Sequence, residues 1–204
     1  MAEAEEEHRA VGRPRSELAR RAVLDSAYAL LEDEGIDDFS IDAVSRRSGV
    51  ARTTIYRRWP SKSVLAIDSF LECFRPQLDA ARGGDPEENL RALVASLAAA
   101  LAGPSGRVAA SVVAHAQRDA ETQRLFRERF SGPLRRESAI VLGAGVASGH
   151  FRADLDVERV IDAFVGAVYF RLLVGSSLDR SWVDALCDTL LIGCRARGGH
   201  DGGL

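Results

Sequence analysis

The stretch RRSGVARTTIYRRWPSK, residues 46–62, carries the side chains best suited to chemistry in this sequence. It holds six cations and no acid, although the whole chain of 204 residues has a formal net charge of −3. Arginine and lysine side chains bind phosphate and other anions. Ile55, Tyr56 and Trp59 stand among them, and a purely solvated run of charge would not need these groups. The stretch therefore predicts a folded surface that meets an anionic partner.

Residues 50–59 predict a short helix whose two faces differ. At 100° per residue, Ile55 and Trp59 lie on one face and can pack against neighbouring helices. Pro60 ends the helix, because proline disfavours helical backbone in the residue ahead of it. The other, broad face carries cations, a hydroxyl and a phenol, on Arg52, Thr53, Tyr56 and Arg57.

A second short helix precedes this one. The sequence SIDAVSRRSG predicts a helix after Ser40, with Ile41 and Val44 facing inward and Gly49 at its end. Two short helices joined by a tight turn form the helix-turn-helix plan. The major groove of B-DNA admits one helix, in which arginine reads guanine edges while threonine and tyrosine reach thymine methyl groups or phosphates. The pattern therefore predicts a DNA-binding unit.

The segment FSIDAVSRRSGVARTTIYRRWPSKSVL, residues 39–65, resembles the DNA-binding domain of the TetR family of transcriptional regulators. The resemblance covers residues 13–68 and includes the leading GRPRS, residues 12–16. Ser45 departs from the alanine that is usual in the family, and we expect its hydroxyl to bond a backbone carbonyl. The resemblance rests on matching apolar, turn and polar positions: Ile41, Val44, Gly49, Val50, Thr54, Ile55, Tyr56 and Lys62.

The resemblance also implies how the residues divide the work on DNA. Contacts to bases are implied for Arg52, Thr53, Tyr56 and Arg57, and contacts to phosphates for Ser40, Thr54, Arg58 and Lys62. Lys62 is the single lysine among 27 lysines and arginines, and a compact ammonium beside the start of a helix suits phosphate. Arg13 and Arg15 could form a minor-groove arm. They could equally belong to a disordered tail, and the acidic run at residues 3–7 opposes a DNA contact.

Helical periodicity extends through nearly the whole chain and predicts an all-α fold of about nine helices without a sheet. Ser16 is the predicted N-cap of the first helix and Gly35 its end. A long helix is predicted from about residue 121 to 148, in which Gly143 and Gly145 should mark close packing or a bend. We expect four parts in chain order: a disordered acidic tail (1–12), a helix-turn-helix DNA-binding domain (13–60), a C-terminal ligand-binding and dimerisation domain (61–197) and a frayed tail (198–204).

Residues 163–174, AFVGAVYFRLLV, are apolar around the whole circumference of a helix. Such a helix must be buried on all sides, so one face can cover its own core while another needs a partner. The family resemblance implies the same, because its last two helices form a four-helix interface in a homodimer. The residues expected at this interface are Val165, Val168, Leu172, Trp182, Leu186 and Leu190.

The resemblance further implies a cavity for a small-molecule effector within the C-terminal helices. We expect an apolar-bodied ligand that is uncharged or weakly polar, because pockets of this kind combine apolar walls with a few polar groups. Its binding should release the operator through the fourth helix, which joins both domains. Candidate lining residues are mostly aromatic, with one titratable group: Phe70, Phe74, His115, Phe126, Phe130, Phe164 and Tyr169.

Other functions find little support in the sequence. It contains no HExxH, GxSxG, P-loop or GxGxxG motif, and its cysteines lack metal-ligand spacing, so we expect no enzyme, cofactor or metal. The acidic N-terminus and the lack of a long apolar run favour a cytoplasmic protein. Two alternatives stay open, namely a sequence-blind DNA-binding or structural protein and a helical enzyme. The family leans to repressors, but the sequence does not decide between repressor and activator or name the operator, genes or effector.

Overall fold

The computed structural model describes residues 2–74 and 84–196, and these are almost entirely helical. The described part contains no β-strand, which confirms the predicted all-α fold. It has nine helical segments, if α7, a π-helical turn and α8 are counted as one continuous segment. The elements are α1 (Ala2–Asp38), α2 (Ile41–Ser48), α3 (Arg52–Arg58), α4 (Lys62–Phe74), α5 (Pro86–Leu101), α6 (Pro104–Ala116), α7 (Ala120–Phe126), the π-helical turn (Arg127–Ser131), α8 (Gly132–Ala147), α9 (Val157–Leu173) and α10 (Arg180–Leu191).

The chain divides into two compact units. The first contains the residues up to Cys73 together with Ser111–Phe126, and the second contains Phe74–Ala110 and the residues from Arg127 onward. The first unit therefore holds the predicted helix-turn-helix and a segment from much later in the chain. This division differs from the single boundary after residue 60 that the sequence suggested.

The first helix is longer than expected. Ser16 lies within α1 and is not its N-cap, and residues expected to form a disordered tail fall inside the bounds of this helix from Ala2 onward. Gly35 interrupts the helical backbone with a φ of +74°, in agreement with its predicted place at a helix end. A Cβ at this position would lie 3.0 Å from Ser111 Oγ. Glycine is thus favoured at residue 35 both by backbone conformation and by space.

The core of the first unit comes from the inward faces of its helices. The side chains of α1, α2, α3 and α4 interlock, since each helix places apolar residues at helical spacing on one face. Each of these helices contributes at least one residue that is no more than 5% exposed, among them Leu24, Ala27, Leu31, Val44, Ile55, Leu65 and Ile67.

The second unit is built on α5, α8, α9 and α10. Asp85 caps α5 by accepting a hydrogen bond from Glu87 N at 2.9 Å, and Pro86 occupies the first turn, as its sequence predicts. Glu87 in turn accepts two hydrogen bonds from Arg195 and one from Arg91. The Arg195 guanidinium, more than Arg91, lowers the pKa of Glu87 to about 2. These pairs join the start of α5 to the chain that follows α10.

The predicted long helix over residues 121–148 is interrupted. The π-helical turn separates α7 from α8, and Pro133 follows it in the first turn of α8. Proline cannot donate the regular helical hydrogen bond, which favours a changed backbone pattern just before it. Gly145 packs closely as expected, because a Cβ there would lie 2.2 Å from the Phe151 ring, whereas Gly143 has open space around its Cβ position.

No single helix in the described ranges is long and apolar enough to cross a membrane; α5 and α6 would meet that criterion only if joined across the bend between them.

Candidate nucleic-acid interface

The turn between α2 and α3 is fixed by short-range hydrogen bonds. Ser40 caps α2 by accepting a bond from Ala43 N at 3.2 Å, and Gly49 ends the helix with a φ of +70°. The Ser45 hydroxyl donates to Val50 O at 2.8 Å. This bond confirms the predicted role of Ser45, whose hydroxyl closes the turn against the backbone. The positions of α2 and α3 are therefore set by residues within the motif itself.

One face of α3 is locked into the first unit. Ile55 is fully buried and Trp59 is 3% exposed, as the helical spacing predicted. The Trp59 indole donates from Nε1 to Asp68 Oδ2 of α4 at 3.1 Å. The guanidinium carbon of Arg58 lies 5.5 Å from the centroid of the Trp59 ring, within the range of a cation–π interaction. The rotation of α3 about its own axis is thus fixed.

The opposite face of α3 is open. All four predicted base contacts, Arg52, Thr53, Tyr56 and Arg57, are exposed. Tyr56 keeps 45% of its surface accessible, which is unusual for so large a ring. Arg52 forms an ion pair with Asp42 of α2, in which its Nε lies 2.8 Å from Asp42 Oδ1.

Arg57 lies on the side of this face that borders α1. Together with Thr54 and Arg58, two predicted phosphate contacts, it lines a groove of about 410 Å³ between α1 and α3. Arg20 of α1 lines the same groove and is paired with Glu17 and Glu72. Arg57, a predicted base contact, therefore lies beside two of the predicted phosphate contacts.

Ser40 and Lys62, the other predicted phosphate contacts, already have partners within the chain. The Ser40 hydroxyl accepts the capping bond, which leaves its own hydrogen free to donate. Lys62 Nζ donates to Ile36 O at 3.4 Å and to Asp37 O at 3.3 Å. An ammonium has three donors, so one remains for a phosphate. Both side chains can hold the protein together and contact an anion at once.

The sequence profiles of known families match both parts of the chain. Residues 23–68 match the family described as "Bacterial regulatory proteins, tetR family", and residues 80–190 match "Tetracyclin repressor-like, C-terminal domain". The chain belongs to the TetR family. It is a DNA-binding transcriptional regulator, in agreement with the resemblance of residues 39–65 and with the geometry of α2 and α3.

Individual relatives agree with this assignment. The regulator is 31% identical to the uncharacterized HTH-type transcriptional regulator YdeS of Bacillus subtilis, over 91% of this chain and 94% of YdeS. It is 25% identical to the DNA-binding transcriptional repressor TetR of Mycobacteroides abscessus, over 87% of this chain and 94% of that one.

Solved structures share its fold. The TetR family transcription regulator SCO0332 aligns with a TM-score of 0.72 and 33% identity, over 86% of this chain and 97% of that chain. FadR from Bacillus subtilis, solved in complex with stearoyl-CoA, aligns with a TM-score of 0.70 and 19% identity, over 85% of this chain and 98% of that chain.

The end of α1 that follows Gly35 is held by the segment at residues 111–126. Ser111 Oγ accepts a hydrogen bond from Ile36 N at 2.9 Å, and Asp37 lies 2.6 Å from His115 Nδ1 and 2.7 Å from Arg118 Nη2. The His115 ring and then the Arg118 guanidinium hold the pKa of Asp37 below its usual range. This cluster was not predicted, because no local pattern connects residues so far apart in the chain.

A second polar cluster fixes the start of α4. Thr122 Oγ1 donates to Asp119 Oδ2 at 2.6 Å, and Asp119 Oδ2 also lies 3.3 Å from Ser63 Oγ. Ser63 and Thr122 are almost fully buried, so these hydroxyls need such partners. Hydrogen bonds from Thr122 lower the pKa of Asp119. The segment at residues 111–126 therefore holds both ends of the helix-turn-helix, next to the predicted phosphate contacts Ser40 and Lys62.

The residues predicted to line a ligand cavity are divided between the units. Phe70, His115 and Phe126 belong to the first unit and Phe74, Phe130, Phe164 and Tyr169 to the second. The His115 ring contacts the Asp37 carboxylate, so it takes part in a polar contact of the first unit. Phe70 is fully buried.

Within the second unit, the predicted aromatic residues pack tightly. Phe74 and Phe130 meet edge to face, with ring centroids 4.9 Å apart. Phe164 lines a cavity of about 10 Å³ between α5, α8 and α9, which has room for roughly one water molecule. The Tyr169 hydroxyl is buried without a hydrogen-bond partner, and this burial raises the pKa of Tyr169. Tyr169 is therefore a predicted pocket residue whose buried hydroxyl could accept or donate a hydrogen bond to a ligand.

The outer face of α9 is apolar and exposed. Phe170 is 66%, Leu173 54% and Val174 56% exposed, while Val168 on the opposite face is fully buried. Val168 thus has no surface for a partner, which contradicts its predicted place at the interface, whereas Phe170 is exposed. Residues 163–174 are apolar on every side apart from Arg171, so this stretch alone does not show which of its faces is buried. The other predicted interface residues, Val165, Leu172, Trp182, Leu186 and Leu190, keep intermediate exposure.

Proposed function

We propose that the regulator is a ligand-responsive repressor that binds a pseudo-palindromic operator as a homodimer. The observation that carries this proposal is that one chain has two exposed surfaces of different kinds. One is the cationic face of α3, and the other is the apolar face of α9. The first suits DNA and the second suits another copy of the same chain.

The face of α3 supports sequence-specific reading. Its helix axis is fixed by the burial of Ile55 and Trp59, so the exposed side chains start from defined positions. Arg52 can present two donors to a guanine, and Thr53 and Tyr56 can contact thymine methyl groups. The spare donors of Ser40 and Lys62 can bind phosphates on either side and set the register of α3 in the groove.

The face of α9 supports dimerisation. Ala163, Gly166 and Phe170 recur at helical spacing along it, and Gly166 has open space around its Cβ position. Small residues beside a large one allow a second helix to approach closely. Ile192, which follows α10, is a further exposed apolar residue, at 71%. A twofold axis through this surface would place the same residues of both copies together.

The proposal of ligand release rests on the second unit. The cavity at Phe164 is too small for an effector, so binding would require rearrangement within the second unit. The buried Tyr169 hydroxyl is the polar group that such a ligand would satisfy. FadR of Bacillus subtilis, a fold neighbour, was solved with stearoyl-CoA. We propose an apolar-bodied effector here too, and its effect cannot exceed the difference between its affinities for the bound and released states.

Selection from a randomised duplex library tests the operator proposal. The full-length protein should enrich a pseudo-palindrome whose half-sites are about 10 base pairs apart, or a multiple of this, since two recognition helices must reach grooves on one side of the duplex. Enrichment of no sequence would indicate the sequence-blind alternative.

Light scattering of the same protein tests the homodimer and should give twice the mass of the chain.

A thermal-shift screen tests the effector proposal. Apolar compounds that raise the midpoint of unfolding should also release the enriched operator. Their effect should fall in Tyr169→Phe, which removes only the hydroxyl. Compounds that stabilise the wild type and Tyr169→Phe equally would exclude this side chain from the site.

A further inference from the structure

Asp42 occupies an unusual place for an acidic residue. It lies in the first turn of α2, and its side chain is 47% exposed beside the open face of α3. The following residues, 43–61, contain no Asp or Glu. A carboxylate at this edge repels DNA phosphates, so it weakens binding to every sequence.

The geometry of its ion pair suggests what the carboxylate does. Asp42 Oδ1 lies 2.8 Å from Nε of Arg52, at the first residue of α3. A guanidinium has donors on two edges, one formed by Nε with one Nη and the other by the two Nη atoms. A contact at Nε leaves the edge with both Nη atoms open. That edge matches the O6 and N7 acceptors of guanine in the major groove.

We propose that Asp42 is a positioning residue that determines sequence specificity through Arg52. It restricts the rotation of a long, half-exposed side chain and turns the Nη edge outward before DNA arrives. It also lowers affinity for sequences that lack a guanine at this position, because its charge is then opposed to phosphate without an arginine–guanine contact in return. The orientation of Arg52 raises the ratio of specific to non-specific binding, whereas the charge of Asp42 lowers the affinity for every sequence. The inference rests on the proposed function of operator recognition.

The test compares base preferences at fixed salt. Library selection with Arg52→Ala identifies the base pair that Arg52 reads. Asp42→Asn should reduce the preference at that same pair by about fivefold or more, the lower end of what a bidentate arginine–guanine contact contributes. It should also bind an unrelated duplex more tightly than the wild type does. In the double variant with Arg52→Ala, Asp42→Asn should cause no further loss of preference.

Asp33 provides a matched control. It is an exposed aspartate of the same unit that pairs with Arg47 at 3.3 Å, so Asp33→Asn removes the same charge without touching α3. We expect Asp33→Asn to retain the base preferences of the wild type, and Asp42→Glu to restore part of the preference lost in Asp42→Asn. Circular dichroism and the midpoint of thermal unfolding check that each variant is folded, as expected for exposed ion pairs of low energy.

Two outcomes would overturn the inference while leaving the proposed function intact. In one, the wild type selects an operator and Asp42→Asn keeps the preference at the Arg52 base pair. In the other, Asp42→Asn and Asp33→Asn change preferences alike, which would indicate a general effect of charge. A wild-type protein that selects no sequence would instead refute the proposed function, and the inference with it.

Discussion

The exposed faces of α3 and α9 differ in how stable they are in water before a partner binds. The arginines of α3 are hydrated, so the face is stable in water and its contribution comes from individual side chains. Phe170 and Leu173 on α9 are more than half exposed, and apolar surface of this kind costs free energy until it is covered. The function of α3 therefore depends on which atoms it presents, whereas that of α9 depends on area and shape.

The largest effect is expected from charging the α9 face. Burying an apolar side chain of this size contributes roughly 1.5–3 kcal/mol, and twofold symmetry counts each substitution twice. Phe170→Glu combined with Leu173→Glu should give monomers that bind the operator weakly, as measured by light scattering and a gel-shift titration. Ile140→Glu on α8 charges an apolar residue of similar exposure, 64%, and should remain dimeric. Dimers in the double variant would place the interface elsewhere.

A smaller effect is expected from the atoms of α3. Arg57→Ala should cost about 1–3 kcal/mol of operator affinity and relax the preference at particular base pairs, if Arg57 contacts bases. Fluorescence anisotropy with the operator and single-base variants measures both quantities. Arg180→Ala, a 75% exposed arginine of α10, is the control. Uniform weakening for all sequences would move Arg57 to the phosphate contacts, with which it shares the groove beside α1.

Lys62 should have a more modest and uniform effect. Lys62→Ala should weaken binding to all sequences similarly and reduce the slope of log K against log salt by about one contact. Because Lys62 Nζ also bonds the carbonyls of Ile36 and Asp37, the midpoint of thermal unfolding should fall as well. A changed base preference with an unchanged salt slope would contradict the assignment of Lys62 to phosphate.

The smallest effect concerns acid stability of the first unit. A pKa that folding lowers contributes stability above the unfolded pKa, and that stability is lost as the pH falls through the folded pKa. For Asp37 the unfolded value is about 3.9, so the loss should appear below about pH 4. Urea unfolding followed by tryptophan fluorescence at pH 5 and pH 3 should show a smaller pH dependence for Asp37→Asn than for Asp33→Asn. Equal dependence in both would show that the Asp37 contacts are not formed in solution.

The sequence predicted well what neighbouring residues decide. The caps at Ser40 and Gly49, the bond of Ser45 and the burial of Ile55 and Trp59 all follow from positions within a few turns of helix. Their partners are close in the chain, so residue type and spacing contain the necessary information. The same holds for Gly35, where a helix end was read correctly.

Predictions were weaker where the deciding partner is distant in the chain. The contact of His115 with Asp37 could not be predicted, because it depends on how a segment from much later in the chain packs against the helix-turn-helix. The buried face within residues 163–174 could not be identified either, since apart from Arg171 this stretch is apolar on every side and only its neighbours show that Val168 faces the core. Such contacts are properties of tertiary packing, which local periodicity does not encode.

The bond from Ile36 N to Ser111 Oγ has a consequence for measurement. This amide donates to a side chain of α6, so its exchange with deuterium should be sensitive to that contact. If the segment at residues 111–126 moved away from the end of α1, exchange at Ile36 would become faster before exchange at the other amides of α1 changed. A single amide can thus report, in the free and the DNA-bound protein, whether residues 111–126 still contact the chain ahead of the helix-turn-helix.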